Sequence, residues 1–222
     1  MDFEKARFNM IEQQIRPWNV LNQAVLDLLT AVKREHFVAA DQQSLAFTDC
    51  ELPIKINGKD TGHTMLAPKI EGKFLQEVEI KPTDKVLEIG TGTGYMAALL
   101  AQRAAHVTTI EADPAIADQA RANLKKQGIT RVNVVTGCGF TQAKALGNFD
   151  VIVLSGSSEV MPESLIAQLN AGGRLIGVIG QQPVMQAVLV SKNTQGQVGS
   201  IPLFETIAKP LANCPTAKAF VF

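Results

Sequence analysis

Cysteine is scarce in this 222-residue chain, which has three, and tryptophan and tyrosine occur once each. Cys50, Cys138 and Cys214 are odd in number, far apart and without metal-ligand spacing, which argues against a disulfide framework and a thiolate zinc site. Reduced thiols in the cytoplasm are the expectation. Charge of one sign is missing too: Lys+Arg and Asp+Glu both total 21 and the formal net charge is zero. No overall field would therefore draw the chain to nucleic acid or to an anionic membrane, and neither is expected as a partner. No apolar run approaches the roughly 18 uninterrupted residues of a membrane span, and the first turns, Met1 to Trp18, interleave charged with apolar side chains, so no export signal is expected. Internal repeats and low-complexity tracts are absent. With 46% hydrophobic residues, one sizeable core can form.

The pattern along the chain changes near residue 82. Before it, Ile11, Ile15, Val25, Leu28, Leu29 and Val32 recur at helical spacing on either side of Pro17, which should break or kink the segment. The stretch Phe47 to Pro68 carries Pro53, Asn57-Gly58, Gly62 and Pro68 and reads as a loop or short hairpin lying over something else. From Asp84 onward, strands and helices alternate. Strands are expected at Lys85 to Ile89, Val107 to Ile110, Val132 to Val135, Phe149 to Leu154 and Arg174 to Ile179. Helices are expected at Tyr95 to Arg103, Pro114 to Gln127 and Pro162 to Leu169. Val184 to Ser191 and Ala219 to Phe222 are candidate closing strands. Such alternation implies an α/β, Rossmann-like fold with a mostly parallel central sheet and helices on both faces. Residues 1–82 would form a helical and loop extension covering the active site, and residues 83–222 the core.

Gly90, Gly92 and Gly94 directly follow the first core strand and open the first core helix. Backbone without Cβ can turn sharply there and let a ligand approach the helix N-terminus. A dinucleotide fingerprint would place its third glycine one position later, where Tyr95 stands. The spacing favours the tighter GxGxG loop of methyltransferases, with S-adenosylmethionine as cofactor and no metal. Glu88, two residues before the loop, is placed to meet the methionine ammonium. Glu111, ending the second strand, can accept hydrogen bonds from two ribose hydroxyls. After the fourth strand, Leu154-Ser-Gly-Ser-Ser-Glu159 lacks the acid or Asn, two prolines and aromatic that enzymes methylating exocyclic amines carry, which lowers a nucleobase acceptor.

The run Met10-Ile-Glu-Gln-Gln-Ile15, with Arg34-Glu-His-Phe-Val38, Ala46-Phe-Thr-Asp49, Leu52-Pro-Ile54, Val86 to Ala98 and Gln168 to Leu175, resembles the protein-L-isoaspartate O-methyltransferase family from about Asn9 to Val190. The resemblance implies a class I methyltransferase that moves a methyl group from S-adenosylmethionine to the carboxylate of isoaspartyl residues in damaged proteins. The ester then closes to a succinimide that can reopen as aspartate. Glycine loop and resemblance together imply cofactor contacts from His63, Thr64, Met65, Glu88, Gly90, Thr91, Gly92, Gly94, Glu111, Ala112, Cys138 and Gly139. Thr64 and Leu66 would border the acceptor. Three departures stand out. His63-Thr-Met-Leu-Ala-Pro68 replaces a family loop reading roughly Gln-Thr-Ile-Ser-Gln-Pro, so Leu66 takes the place of a serine set beside the reacting carboxylate. Cys138 takes the place of an acid that accepts from adenine, and Ser155-Gly-Ser157 that of Thr-Ala-Ala. These departures leave open two other readings: a methyltransferase with a different small-molecule or peptide acceptor, and a cofactor-binding protein without catalysis.

Overall fold

Proline chemistry shapes the N-terminal segment. Helix α1 (Phe3–Met10) is capped by the Asp2 carboxylate accepting from the Lys5 N–H, then widens into a π-turn over Ile11–Ile15 and tightens into a 3-10 turn over Arg16–Trp18. Pro17 has no N–H to give and crowds the preceding turn, so the regular helix ends there. The computed structural model describes residues 1–217. Helix α2 (Gln23–Ala31) follows, with the Asn22 side chain accepting from the Ala24 N–H, and it buries Val25, Leu26, Leu28 and Leu29.

The turn-rich stretch forms an antiparallel hairpin, β1 (Leu52–Ile56) and β2 (Lys59–Met65), joined at Asn57-Gly58, both with positive φ. That pairing of turn residues suits the twist of a two-residue hairpin loop. Beyond it, where irregular chain was expected, helix α3 (Pro68–Val78) runs with Pro68 in its first turn. Pro68 starts a helix rather than closing a loop, because its missing N–H lies among those a helix leaves unpaired anyway.

The core sheet holds β3 (Lys85–Ile89), β4 (His106–Glu111), β5 (Val132–Thr136), β6 (Phe149–Ser158), β7 (Leu169–Gln181), β8 (Val184–Lys192) and β9 (Val198–Glu205). Their order is β5-β4-β3-β6-β7-β8-β9; the first five are parallel, and β8 and β9 run antiparallel to their neighbours. Helices α4 (Tyr95–Ala101) and α5 (Pro114–Lys126) connect the early strands, and two single turns, α6 (Gly139–Gln142) and α7 (Glu163–Ile166), connect the later ones. Side chains alternate through the sheet. Val86, Val107, Val151 and Ile176 join the N-terminal helices, α4 and α5 in one core, whereas Leu87, Ile110, Ile152 and Leu175 join Leu165 and Ile166 in the other.

Three local expectations change. The helix expected over Pro162 to Leu169 is only the turn α7, because Leu169 is already drawn into the sheet opposite Phe149. β7 accordingly starts well before Arg174. β9 was not anticipated: its exposed, Gly- and Pro-containing sequence lacks an apolar alternation, and it forms as an edge strand on β8. Ala219 to Phe222 lie outside the described residues. Among the described residues, no helix is long and apolar enough to cross a membrane.

Candidate active site

Strand order reverses at β3: the chain builds outward through β4 and β5, then returns to β6 on the other side of β3. A crevice opens at such a switch point, beyond the carboxyl ends of the strands. There Gly90, Gly92 and Gly94 all take positive φ, which L side chains rarely adopt. A Cβ on Gly90 would lie 2.6 Å from Leu211 Cδ2, so the loop is also closely approached from above. Gly94 N–H donates to Thr91 O at 2.9 Å, closing the turn that starts α4.

A cleft of about 570 Å³, open mouth included, lies over this loop, lined by Ile54, His63, Thr64, Ile89, Gly90, Gly92, Ile110, Glu111, Ala112, Gly139, Ser155 and Lys209 to Ala212. A smaller cavity of about 280 Å³, open space included, adjoins it, lined by Thr64, Met65, Leu66, Glu71, Glu88, Gly90 to Thr93, Tyr95, Met96 and Ser155. Thr64, Gly90, Gly92 and Ser155 belong to both walls. Together they form a groove with a smaller side chamber. Of the residues anticipated from sequence, His63, Ala112 and Gly139 meet the first, Met65, Leu66, Glu88 and Thr91 the second, and Glu111 closes the first at the end of β4. Gly94 and Cys138 line neither. A Cβ on Gly94 would meet Leu124 at 3.2 Å, so this glycine serves the packing of α4 on α5. Cys138 stands just before α6, half-buried.

Both anticipated carboxylates are held by groups of the protein. Glu111 accepts the Gly92 N–H at 2.9 Å and the Asp113 N–H at 3.1 Å, which locks the glycine loop to the end of β4 and leaves further lone pairs facing the cleft. Glu88 has no exposed surface and accepts from Thr109 Oγ1 and Ser155 Oγ, both at 2.7 Å. Thr109 in turn shares a 2.7 Å hydrogen bond with Thr91. Burial pushes the Glu88 carboxyl up to about 8, against the two hydroxyls, which act in the opposite direction. Burial thus favours the protonated form of Glu88 near neutral pH.

The chamber wall holds residues that sequence reasoning missed. Glu71, on α3, is buried and paired with Arg34, and its desolvation raises its carboxyl to about 7 in spite of that partner. Arg34 also donates to the Leu66 carbonyl at 2.8 Å and lies 5.2 Å from the centre of the Tyr95 ring. A second buried pair, Arg7 with Glu35, stands beside it in sequence and ties α1 to the same region. Leu66 itself is both a buried core residue and a wall of the chamber. The mouth is crossed by the C-terminal segment. Leu211 N–H donates to Ser157 O, Ser157 N–H to Lys209 O, Ser157 Oγ to Ala208 O, and Lys209 Nζ to Gly62 O of the hairpin.

This arrangement matches known proteins over nearly its whole length. A family model for protein-L-isoaspartate(D-aspartate) O-methyltransferase aligns with residues 5–213. The chain belongs to that family. A protein-L-isoaspartate O-methyltransferase of Methanoculleus marisnigri is 38% identical over 93% of this chain and 91% of its own, and one of Koribacter versatilis is 36% identical over 94% and 91%. Among solved structures, a protein-L-isoaspartate O-methyltransferase superposes with a TM-score of 0.78 at 24% identity, covering 97% of this chain and 66% of its own longer chain. A Plasmodium falciparum protein named for the same activity, solved with S-adenosyl-L-homocysteine, superposes with a TM-score of 0.78 at 18% identity over 95% of this chain and 98% of its own. At those identities the superpositions speak for the fold alone, while the family rests on the sequence matches.

Proposed function

We propose that the protein transfers the methyl group of S-adenosylmethionine to the free carboxylate of isoaspartyl residues in peptides and proteins, in the cytoplasm. The observation that carries the reading is the pair of joined spaces over the glycine loop, a groove closed by Glu111 at the end of β4 and a chamber walled by Leu66, Glu88 and Tyr95. Membership of the isoaspartyl methyltransferase family supports the acceptor, and the three free cysteines suit a reducing compartment.

The cofactor fits the residues present. Positive-φ glycines leave backbone uncovered where its tail would lie, and the buried Thr93 hydroxyl has no partner in the protein and is free to meet it. Glu111 would take the ribose hydroxyls, and Glu88 the methionine ammonium. Bound there, the cofactor supplies an electrophilic methyl group on a sulfonium. The protein's part is alignment: an acceptor carboxylate is already nucleophilic, so orientation and exclusion of water supply most of the rate. We further propose that residues 1–82 act as the cover, since the hairpin contributes Ile54, His63 and Thr64 to the groove and the turn before α3 contributes Leu66 to the chamber.

A second reading keeps the cofactor and changes the acceptor. What favours it is the chamber's lining of two carboxyl groups, Glu71 and Glu88, beside the apolar Leu66. The two separate on repair. Incubated with S-adenosylmethionine and an isoaspartyl peptide, the protein should convert the peptide progressively to its aspartyl form, resolved by reversed-phase chromatography. An isoaspartyl peak that persists, with the cofactor bound, contradicts the proposed acceptor.

A further inference from the structure

Leu66 brings an apolar side chain to the place where an acceptor carboxylate is expected, so the hydrogen bond that holds the carboxylate must come from elsewhere in the chamber. The side-chain hydroxyls on its wall can be counted one by one. Thr64 Oγ1 donates to Glu51 at 2.8 Å, Thr91 shares its hydroxyl proton with Thr109, and Ser155 Oγ donates to Glu88. The side chains of Leu66, Met65 and Met96 carry no hydroxyl. Two hydroxyls remain without any partner although buried: Thr93 Oγ1, inside the glycine loop, and Tyr95 Oη, at the start of α4.

Tyr95 is the one joined to Leu66. A single guanidinium, Arg34, donates to the Leu66 carbonyl, pairs with Glu71 and covers the Tyr95 ring, while Phe37 packs on the same ring with centroids 5.4 Å apart. The ring is thus fixed on two sides and only 2% of the residue is exposed. A buried hydroxyl without a partner is unfavourable, and it is tolerated where a ligand completes it. Burial also holds the phenol proton far above its ordinary range, so the hydroxyl is a donor at any working pH. We infer that Tyr95 Oη donates the hydrogen bond that binds the acceptor oxygen, doing from α4 what Leu66 cannot do from the loop before α3. The inference rests on the proposed carboxylate acceptor and names its specificity-determining residue.

Tyr95→Phe removes only the hydroxyl and keeps the ring against Arg34 and Phe37. With S-adenosylmethionine saturating, the KM for an isoaspartyl peptide should rise about tenfold or more, with the affinity for S-adenosylhomocysteine changed less than twofold. Adding Leu66→Ser to Tyr95→Phe should recover much of the loss, since either hydroxyl can meet the carboxylate. Tyr95 is the sole tyrosine, so a single 13Cζ tyrosine resonance reports its hydroxyl directly. That resonance should move when the isoaspartyl peptide joins the S-adenosylhomocysteine complex and stay in place with a matched aspartyl peptide. An active wild type with an equally active Tyr95→Phe variant, or an unmoved resonance, overturns the inference alone. A peptide defect on Thr93→Ala with none on Tyr95→Phe does the same. A wild type inactive on the peptide overturns both the inference and the reading beneath it.

Discussion

Glu88 shows how one buried carboxyl can link cofactor binding to protons. Its side chain is enclosed by Thr109 and Ser155 and its carboxyl is raised to about 8 by burial. A cationic ammonium nearby favours the carboxylate, so binding S-adenosylmethionine near pH 7 should release a proton, and affinity should rise with pH up to about 8. Calorimetry at pH 7 in buffers of different ionisation heat should give heats that depend on the buffer for the wild type and not for Glu88→Gln. Equal dependence in both would place the proton elsewhere. The same shift has a stability sign: the folded-state carboxyl is raised above its unfolded value of 4.5, so its contribution is fully present below about pH 4.5 and is lost as pH rises through about 8. Glu88 and Glu111 were legible in sequence because both are fixed by spacing, two residues before the glycine loop and at the end of the next strand. Thr109, Glu71 and Tyr95 were not, since nothing local marks a mid-strand threonine as the partner of Glu88, or a first-turn glutamate or tyrosine as facing a cavity. Only the packing of α3, α4 and β4 brings them together.

At the scale of elements, the site is closed by chain from both ends of the sequence. The β1–β2 hairpin supplies one wall, the segment Lys209 to Ala212 the other, and Lys209 Nζ donating to Gly62 O joins them. Ser157, on β6, is the anchor of the C-terminal segment, through its N–H, carbonyl and hydroxyl together. Ser157→Ala keeps the backbone bonds and removes the hydroxyl's 2.9 Å bond to Ala208 O. Leaving that buried carbonyl without a partner should cost about 1 to 3 kcal/mol of stability. It should also loosen the groove, read as weaker S-adenosylhomocysteine binding and faster proteolysis after Ile207. Unchanged binding and proteolysis would mean that the two backbone bonds of residue 157 and the packing of Leu211 against Gly90 and Gly156 hold the segment without the Ser157 hydroxyl. The parallel strands and α5 were readable because apolar runs bounded by glycine and proline leave few alternatives. α3 and β9 were not: Pro68 signals a turn as readily as a helix start, and β9 is a strand only because β8 offers it an edge.

For the molecule as a whole, the sheet places its reversal of strand order, the glycine loop and the two carboxylates at one rim, and the N-terminal helices pack on the face beneath α4. The neutral overall charge leaves recognition to the chamber itself. What the sequence could not convey at this scale is that Leu66 belongs at once to the core and to the chamber, because burial and contact with a cavity are properties of the assembled fold. The account stands or falls on the acceptor. Tritiated methyl transfer from S-adenosylmethionine, run on an isoaspartyl peptide and on its matched aspartyl peptide, should give base-labile label that accumulates on the first and stays at background on the second. Label on neither peptide, or equal label on both, would contradict it.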